Sequence, residues 1–398
     1  MKMMVSVDEA LACLNAHRLA LPAEVVAVEQ ACGRRLAEPV VARVTQPPAA
    51  VSAMDGYAVR LSDVQTPGAT LQVTGEAPAG KPFKSGVRTG EAVRIFTGAH
   101  LPSGSDHIVI QEDVDRRDGE IICRKGYTAA EFVRQAGIDF TAGDVLIEPG
   151  TVLTPSALAL AAAANHGTFS VFTRPRVGIL ANGDELRPPG SALAEGEVAN
   201  SNLAGLSALI HDWGGEAVDL GIASDSISVI LERIDDPTID IFLPVGGASV
   251  GDHDHMLAAF EQAGFELIFQ KIAVKPGKPT WFSRRDNRFA LGLPGNPASA
   301  IVCAHLFLKA LLRQSFNLQT LKAQLEMPLP ANGNREEFLR GKVRVSEDGR
   351  LLVCAVTNQD SSLLKPFLTS NCLIRRTIHA AAEPKGAIID VVMIGPLP

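Results

Sequence analysis

Residues 239–254 read Ile-Asp-Ile-Phe-Leu-Pro-Val-Gly-Gly-Ala-Ser-Val-Gly-Asp-His-Asp. An apolar run without polar alternation, passing through glycines into a helical pattern (Asp252–Gln262), is the mark of a buried strand followed by a tight strand-to-helix turn. The same rhythm extends on both sides. Upstream lie strand Val177–Leu180, helix Asn202–Trp213 closed by Gly214-Gly215, strand Glu216–Gly221 and helix Asp225–Ile234. Downstream, strands around Leu267–Ile272, Thr280–Phe282 and Phe289–Leu293 precede a long helix, Ala298–Arg313. Strands alternating with helices, the strands nearly all apolar, predict a doubly wound α/β domain over residues 174–316, its parallel sheet covered on both faces.

The glycine turn Gly246–Gly251 leaves backbone N–H groups at a helix start, an arrangement suited to an anion. It is not a Walker loop, since no Gly-Lys-Ser/Thr closes it. On its own the turn reads equally as a tight connection with no ligand. A helix end contributes only about 1–2 kcal/mol to an anion, whereas micromolar binding needs about 8 kcal/mol. Other groups must supply most of the affinity.

Two neighbouring loops offer them. Lys271-Ile272-Ala273-Val274-Lys275-Pro276-Gly277-Lys278-Pro279 holds three lysines and two prolines, and it leaves a strand that the pattern makes parallel, where ligand crevices form. Leu293-Pro294-Gly295-Asn296-Pro297-Ala298-Ser299 runs from a strand into a helix, with Asn296 as cap and Pro297 in the first turn. Acidic residues occupy similar places: Asp184-Glu185 after a strand, Asp225 at a helix start, and Asp252-His253-Asp254-His255 after the glycine turn. Asp225 and Asp252 also read as simple caps. His253 and His255 are two apart and would diverge on a helix, which argues against a histidine metal site. Carboxylates beside an anion are reconciled by a bridging hard cation, Mg²⁺ above all.

The flanks differ in character. Ser6-Val7-Asp8-Glu9 forms a capping box opening a helix with Val7, Ala10, Leu11 and Leu14 on one face, and a second short helix is expected to close near Cys32-Gly33. Residues 47–137 hold short apolar runs between Gly/Pro turns, a mostly β insert. Thr154-Pro155 caps an alanine-rich helix. Residues 1–46 and 138–173 are therefore expected to pack as one discontinuous helical domain. Residues 317–398 return to short strands, a β-barrel-like domain.

The chain carries a net charge of −7, so a general nucleic-acid binder is excluded and any anion must be held by local groups. Six cysteines without C-x-x-C spacing suit neither a zinc knot nor a disulfide framework. No apolar run reaches membrane-spanning length, and the N-terminus lacks a signal core, which places the expected protein in the cytoplasm.

Further stretches become informative as a set. Ser52-Ala53-Met54-Asp55-Gly56-Tyr57-Ala58-Val59-Arg60, Arg94-Ile95-Phe96-Thr97-Gly98-Ala99, the glycine turn, Lys275-Pro276-Gly277-Lys278-Pro279 and Leu293–Ala300, in that order, resemble the molybdopterin molybdenumtransferase family, which comprises bacterial MoeA and the gephyrin E domain. The resemblance spans essentially the whole chain. It implies insertion of molybdenum from molybdate into adenylylated molybdopterin with release of AMP and with Mg²⁺ present. It further implies an elongated homodimer of four-domain subunits, with residues 174–316 as the molybdopterin-binding domain and other proteins of cofactor biosynthesis as partners. By motif, Asp55, Thr97, Asp139, Glu185, Asp225, Asp254, Lys271 and Lys275 match catalytic positions, with Glu185 and Asp225 for the metal. Gly246, Gly247, Ser249, Gly251, Lys278, Pro294, Asn296, Pro297, Ser299, Arg340 and Ser361 match positions that hold the cofactor precursor.

The sequence also departs from the family pattern. Pro244-Val245 stands where a hydroxyl residue is usual, Ala248 where valine is common, Ile138 where Glu is frequent, and Asn182 where Thr is common. These changes leave open a tungstate preference or a carrier or scaffold role.

Overall fold

The computed structural model describes residues 3–247 and 255–397, which form two compact units. One unit comprises residues up to Pro22 together with those from Thr173 onward; the other is Ala23–Phe172.

The first unit is built on a six-stranded sheet in the order Glu216–Ala223, Arg176–Asn182, Ile241–Val245, Arg288–Gly292, Trp281–Arg285, Glu266–Phe269. The first four strands are mutually parallel, and the inner ones carry the apolar runs expected of strands covered on both faces. Only Trp281–Arg285 runs against them, pairing antiparallel with both its neighbours, Arg288–Gly292 and Glu266–Phe269. This corrects the expectation that the lysine loop leaves a parallel strand. Two successive antiparallel pairings restore the original direction, however, so the loop after Phe269 still emerges at the same sheet edge as Asn182 and Val245. The hairpin turn at Asp286-Asn287 explains the reversal, with Asp286 at φ +55.

Helices cover both faces. On one side Ser201–Asp212 and the long helix pack with Val7–Ala16 over Val177, Ile179, Ile241 and Leu243. On the other, Ile227–Ile234 and His255–Gln262 enclose Phe242, Phe260, Phe265 and Trp281, whose rings meet at centroid distances of 5.1–5.8 Å. The long helix runs from Pro297 to Arg313 and contains a π turn at Ala304–Leu308. Beyond it, five strands (Leu321–Leu325, Glu336–Val345, Leu351–Ala355, Cys372–Arg376, Ile388–Met393) close into a barrel, because Glu336–Val345 pairs with Leu351–Ala355 and also with Cys372–Arg376.

The capping box at Ser6 forms as expected: Ser6 Oγ accepts from the Glu9 N–H and Glu9 Oε2 accepts from the Ser6 N–H. The helix it opens joins the α/β unit rather than a helical domain with residues 138–173. Its Val7, Ala10, Leu11 and Leu14 are buried in the same core as Phe307 and Leu311. The expected second helix is also absent. Ala23–Ala27 is a strand paired antiparallel with Thr168–Phe172, and only a short 3₁₀ turn follows at Val28–Gln30. Its β-branched Val25 and Val26 suit a strand once that distant partner exists. The Ala23–Phe172 unit otherwise holds the Thr154-capped helix Pro155–Ala163 and a six-stranded sheet in the order His107–Ile110, Gly56–Val59, Glu91–Ile95, Thr70–Ala77, Glu120–Cys123, Val114–Arg117.

The placement of the N-terminal helix has a measurable consequence. Leu14→Ala removes a fully buried side chain and is expected to destabilise the α/β unit by about 2–5 kcal/mol. In native-state hydrogen exchange the loss should fall on amides of the 173–397 sheets and leave those of Glu91–Ile95 and His107–Ile110 unchanged. Equal loss in both units would contradict the assignment.

Candidate functional site

From strand Arg176–Asn182 the chain crosses through Ser201–Asp212 to Glu216–Ala223 on one side, whereas after Ile241–Val245 it continues through His255–Gln262 to Glu266–Phe269 on the other. The two central strands therefore send their connections apart, and an open crevice results beyond their carboxyl ends. A cavity of about 710 Å³ lies there. Its walls include Asn182, Glu185, Asn202, Gly246, Gly247 and the Pro294–Pro297 loop, with Ser362 contributed by the C-terminal barrel.

The glycines are required by close approach. Gly246 and Gly247 adopt φ +92 and +68. A Cβ on Gly246 would lie 2.5 Å from the Asn182 carbonyl oxygen, and one on Gly247 would lie 2.7 Å from Asn182 Oδ1. Asn182 itself is buried, and its Nδ2 donates to the Ala223 carbonyl at 3.3 Å, tying together three strand ends. Ser249, Gly251 and Asp254, named above as site residues, lie outside the described residues.

The Pro294–Pro297 loop differs from its sequence reading in one respect. Asn296 does occupy the N-cap position and Pro297 the first turn, but the Asn296 side chain makes no capping bond. Its Nδ2 donates instead to Ser361 Oγ at 3.0 Å, while the Ala298 N–H donates to the Ser361 carbonyl. Ser299 is buried one turn in. Ser361 is positioned by Arg340, which is almost wholly buried and spends its guanidinium on the carbonyls of Leu363 (2.7 Å) and Asp360 (2.9 Å). In this structure Arg340 thus orders the 358–363 loop that carries Ser361 and Ser362.

The lysine loop is pinned by packing. Gly277, at φ +119, sits where a Cβ would fall 2.1 Å from Cys303 Sγ, and Thr280 Oγ1 donates to the Gly277 carbonyl. Lys275 extends the barrel, pairing in parallel beside Glu337, and its Nζ forms a 2.9 Å ion pair with Glu337. Lys278 is exposed, Lys271 half-buried, and neither has an ion-pair partner among the described residues. Pro279, next to Lys278, lines the cavity.

Of the carboxylates, Glu185 lines the cavity and is exposed. Asp225 is exposed and does not cap its helix; Ser226 holds the N-cap position, without a side-chain cap. Among the described residues no three His, Cys, Asp or Glu side chains form a metal-binding group. The 183–199 loop is held over the cavity by the Leu186–Arg187 and Val198–Ala199 ladder and the Arg187–Glu197 ion pair.

Sequence reasoning missed Asn200-Ser201-Asn202. Asn200 Oδ1 accepts from the Leu203 N–H, and Asn202 Nδ2 donates to the Gly295 carbonyl at 2.8 Å. The Asn202 Oδ1 is buried without a hydrogen-bond partner among the described residues. Two asparagines at a helix start were the available signal.

In the other unit, Asp55 and Thr97 are brought together. Asp55 Oδ1 accepts from both the backbone N–H and the Oγ1 of Thr97, each at 2.8 Å. Arg94, which stacks over Tyr57 and Phe96, donates to the Gly56 carbonyl and so steadies the same turn. Asp139 is exposed, its N–H donating to the Gln46 carbonyl.

Three family models match the chain in order. They are described as MoeA N-terminal region (domain I and II), over residues 5–165; Probable molybdopterin binding domain, over 178–314; and MoeA C-terminal region (domain IV), over 322–394. A protein of Haemophilus influenzae named molybdopterin molybdenumtransferase is 35% identical over 360 residues, covering 88% of this chain and 89% of that one. One of the same name from Staphylococcus aureus is 28% identical and covers 98% and 95%. The crystal structure of the molybdopterin biosynthesis moeA protein from Pyrococcus horikoshii matches with a TM-score of 0.83 at 27% identity, over 98% of this chain and 100% of that one.

The Thr97 N–H, then its hydroxyl, hold the Asp55 carboxyl below the ordinary carboxylate range. A carboxyl with a depressed pKa contributes stability above its ordinary value, and that contribution is lost as the pH falls through the folded value. A ¹³C-detected titration should find Asp55 below the ordinary aspartate value, and Thr97→Val should move it partway back. Titration at the ordinary value in both proteins would contradict the geometry.

Proposed function

The chain belongs to the MoeA family, and on that premise we propose that it inserts molybdenum from molybdate into adenylylated molybdopterin, releasing AMP in a Mg²⁺-dependent reaction. As a member of that family it is a transferase of molybdenum cofactor biosynthesis. The observation that carries the finer reading is the 710 Å³ cavity at the switch point, lined by bare backbone at Gly246 and Gly247 and flanked by the lysine loop. Its size falls within the roughly 300–1,000 Å³ of small-molecule sites.

In this reading the glycine turn and the Pro294–Pro297 loop hold the phosphate end of the pterin. Lys271, Lys275 and Lys278 draw in molybdate, with Lys275 exchanging Glu337 for the anion. Ser299, Ser361 and the loop that Arg340 orders form the adjoining wall. Release of AMP requires an oxygen of molybdate or water to attack phosphorus as the phosphoanhydride to the pterin phosphate breaks, so the residues must stabilise negative charge; no nucleophilic side chain is needed.

The carboxylates fit a magnesium ion that arrives with its ligand. Glu185 and Asp225 are exposed and have no cationic partner among the described residues. Mg²⁺ is commonly held by one or two carboxylates plus phosphate oxygens and water, which does not need a three-ligand protein cage. When bound, it would neutralise phosphate charge. Asp55, Thr97, Asp139 and Asp254 are assigned to catalysis on their motifs, and the homodimer and cytoplasmic location belong to the same proposal.

The test is AMP release from adenylylated molybdopterin on adding molybdate and Mg²⁺. Lys275→Ala and Asp55→Ala are each expected to slow release by roughly a hundredfold, the scale of losing one electrostatic stabiliser. Substrate bound without release would replace the transferase reading by a carrier, and wild-type rates in both variants would place the reacting centre elsewhere.

A further inference from the structure

We propose that a second cavity, along the C-terminal half of the long helix, is a binding site for a small organic anion with an oxyanion head and an apolar body. This cavity measures about 540 Å³ and shares no residue with the first. Its occupant is not the substrate of the proposed reaction.

One wall is a stripe of basic residues at four-residue spacing, His305, Lys309 and Arg313, all of which line the cavity. His305 is only 8% exposed, its ring centroid 5.0 Å from that of Trp213 in an edge-on arrangement, and its Nδ1 is buried with no hydrogen-bond partner among the described residues. Lys309 is half-buried and forms no ion pair among the described residues. Arg313 donates to the Asp212 carbonyl and adds a second positive charge. No Asp or Glu is among the lining residues. The Lys309 ammonium and an unsatisfied imidazole nitrogen, in a recess whose lining holds no Asp or Glu, call for an anion that also completes a hydrogen bond.

The remaining walls define the body of that anion. Leu11, Leu306, Leu318, Leu321 and Val392 present an apolar surface, suited to a short alkyl or aryl group. Burial and the charge of Lys309 push the His305 imidazole down to about 3, so it stays neutral at physiological pH and serves as a hydrogen-bonding group. Burial and Arg313 also lower the Lys309 pKa; a bound anion would relieve both. The π turn at Ala304–Leu308 lies at the His305 position, and such turns recur at functional sites.

Calorimetric titration of the full chain with octanoate, octyl phosphate and octanol tests this. At least one of the two anions should bind with a stoichiometry of about one per chain and at least roughly tenfold more tightly than octanol, as expected for a charge-assisted contact. The tighter anion identifies the head group. Lys309→Met should weaken it by about tenfold while leaving thermal unfolding unchanged, and the His305 ring ¹⁵N signals should shift on titration of the wild type. Absence of saturable binding by either anion, octanol binding as tightly, or equal affinity in Lys309→Met would overturn the proposal. If Lys309→Met proves misfolded by circular dichroism, the His305 shifts decide alone.

Discussion

Everything at the principal cavity depends on how closely three strand ends converge at Asn182. Its side chain bonds to the Ala223 carbonyl, and its own backbone and amide oxygen stand against Gly246 and Gly247. Only residues without a Cβ fit that approach at positive φ. The same bareness that lets the strands close exposes backbone at the mouth of the crevice, where opposite crossovers leave room for a ligand. Packing and binding are thus one constraint, seen from the two sides of Gly246–Gly247.

A second layer of contacts determines what surrounds that backbone. The barrel reaches the cavity through a single ordered loop, because Arg340 gathers the carbonyls of Asp360 and Leu363 and Ser361 bonds to Asn296 and Ala298. The lysine loop is fixed between Cys303 of the long helix and the barrel strand Glu336–Val345. Charged groups that must meet a mobile anion are therefore carried on a backbone with little freedom, which lowers the entropic cost of binding.

How much of this was legible in the sequence follows from the range of each interaction. The alternation of strands and helices, the capping box at Ser6 and the Thr154 cap rest on residues within a few positions of one another, and they form as read. The second short helix expected to close near Cys32-Gly33 does not form; the strand Ala23–Ala27 and a 3₁₀ turn stand there, because the strand's partner, Thr168–Phe172, lies far along the chain. Asn296 has the composition of a cap, yet a serine 65 residues away takes its side chain. Arg340 reads as an anion ligand, but nearby carbonyls consume its donors in the folded chain. Charge and cap propensity are local properties; which partner wins is a tertiary one.

The central claim is that the Gly246–Gly247 backbone seats the phosphate-bearing end of the substrate, and its most direct measurement is equilibrium binding of adenylylated molybdopterin to Gly247→Ala. A methyl at this position would push against Asn182 Oδ1 and the Met256 side chain and so displace the turn that lines the crevice. With folding verified by circular dichroism, the account predicts affinity reduced by roughly tenfold or more, about 1.4 kcal/mol. Wild-type affinity in a folded Gly247→Ala protein would contradict it.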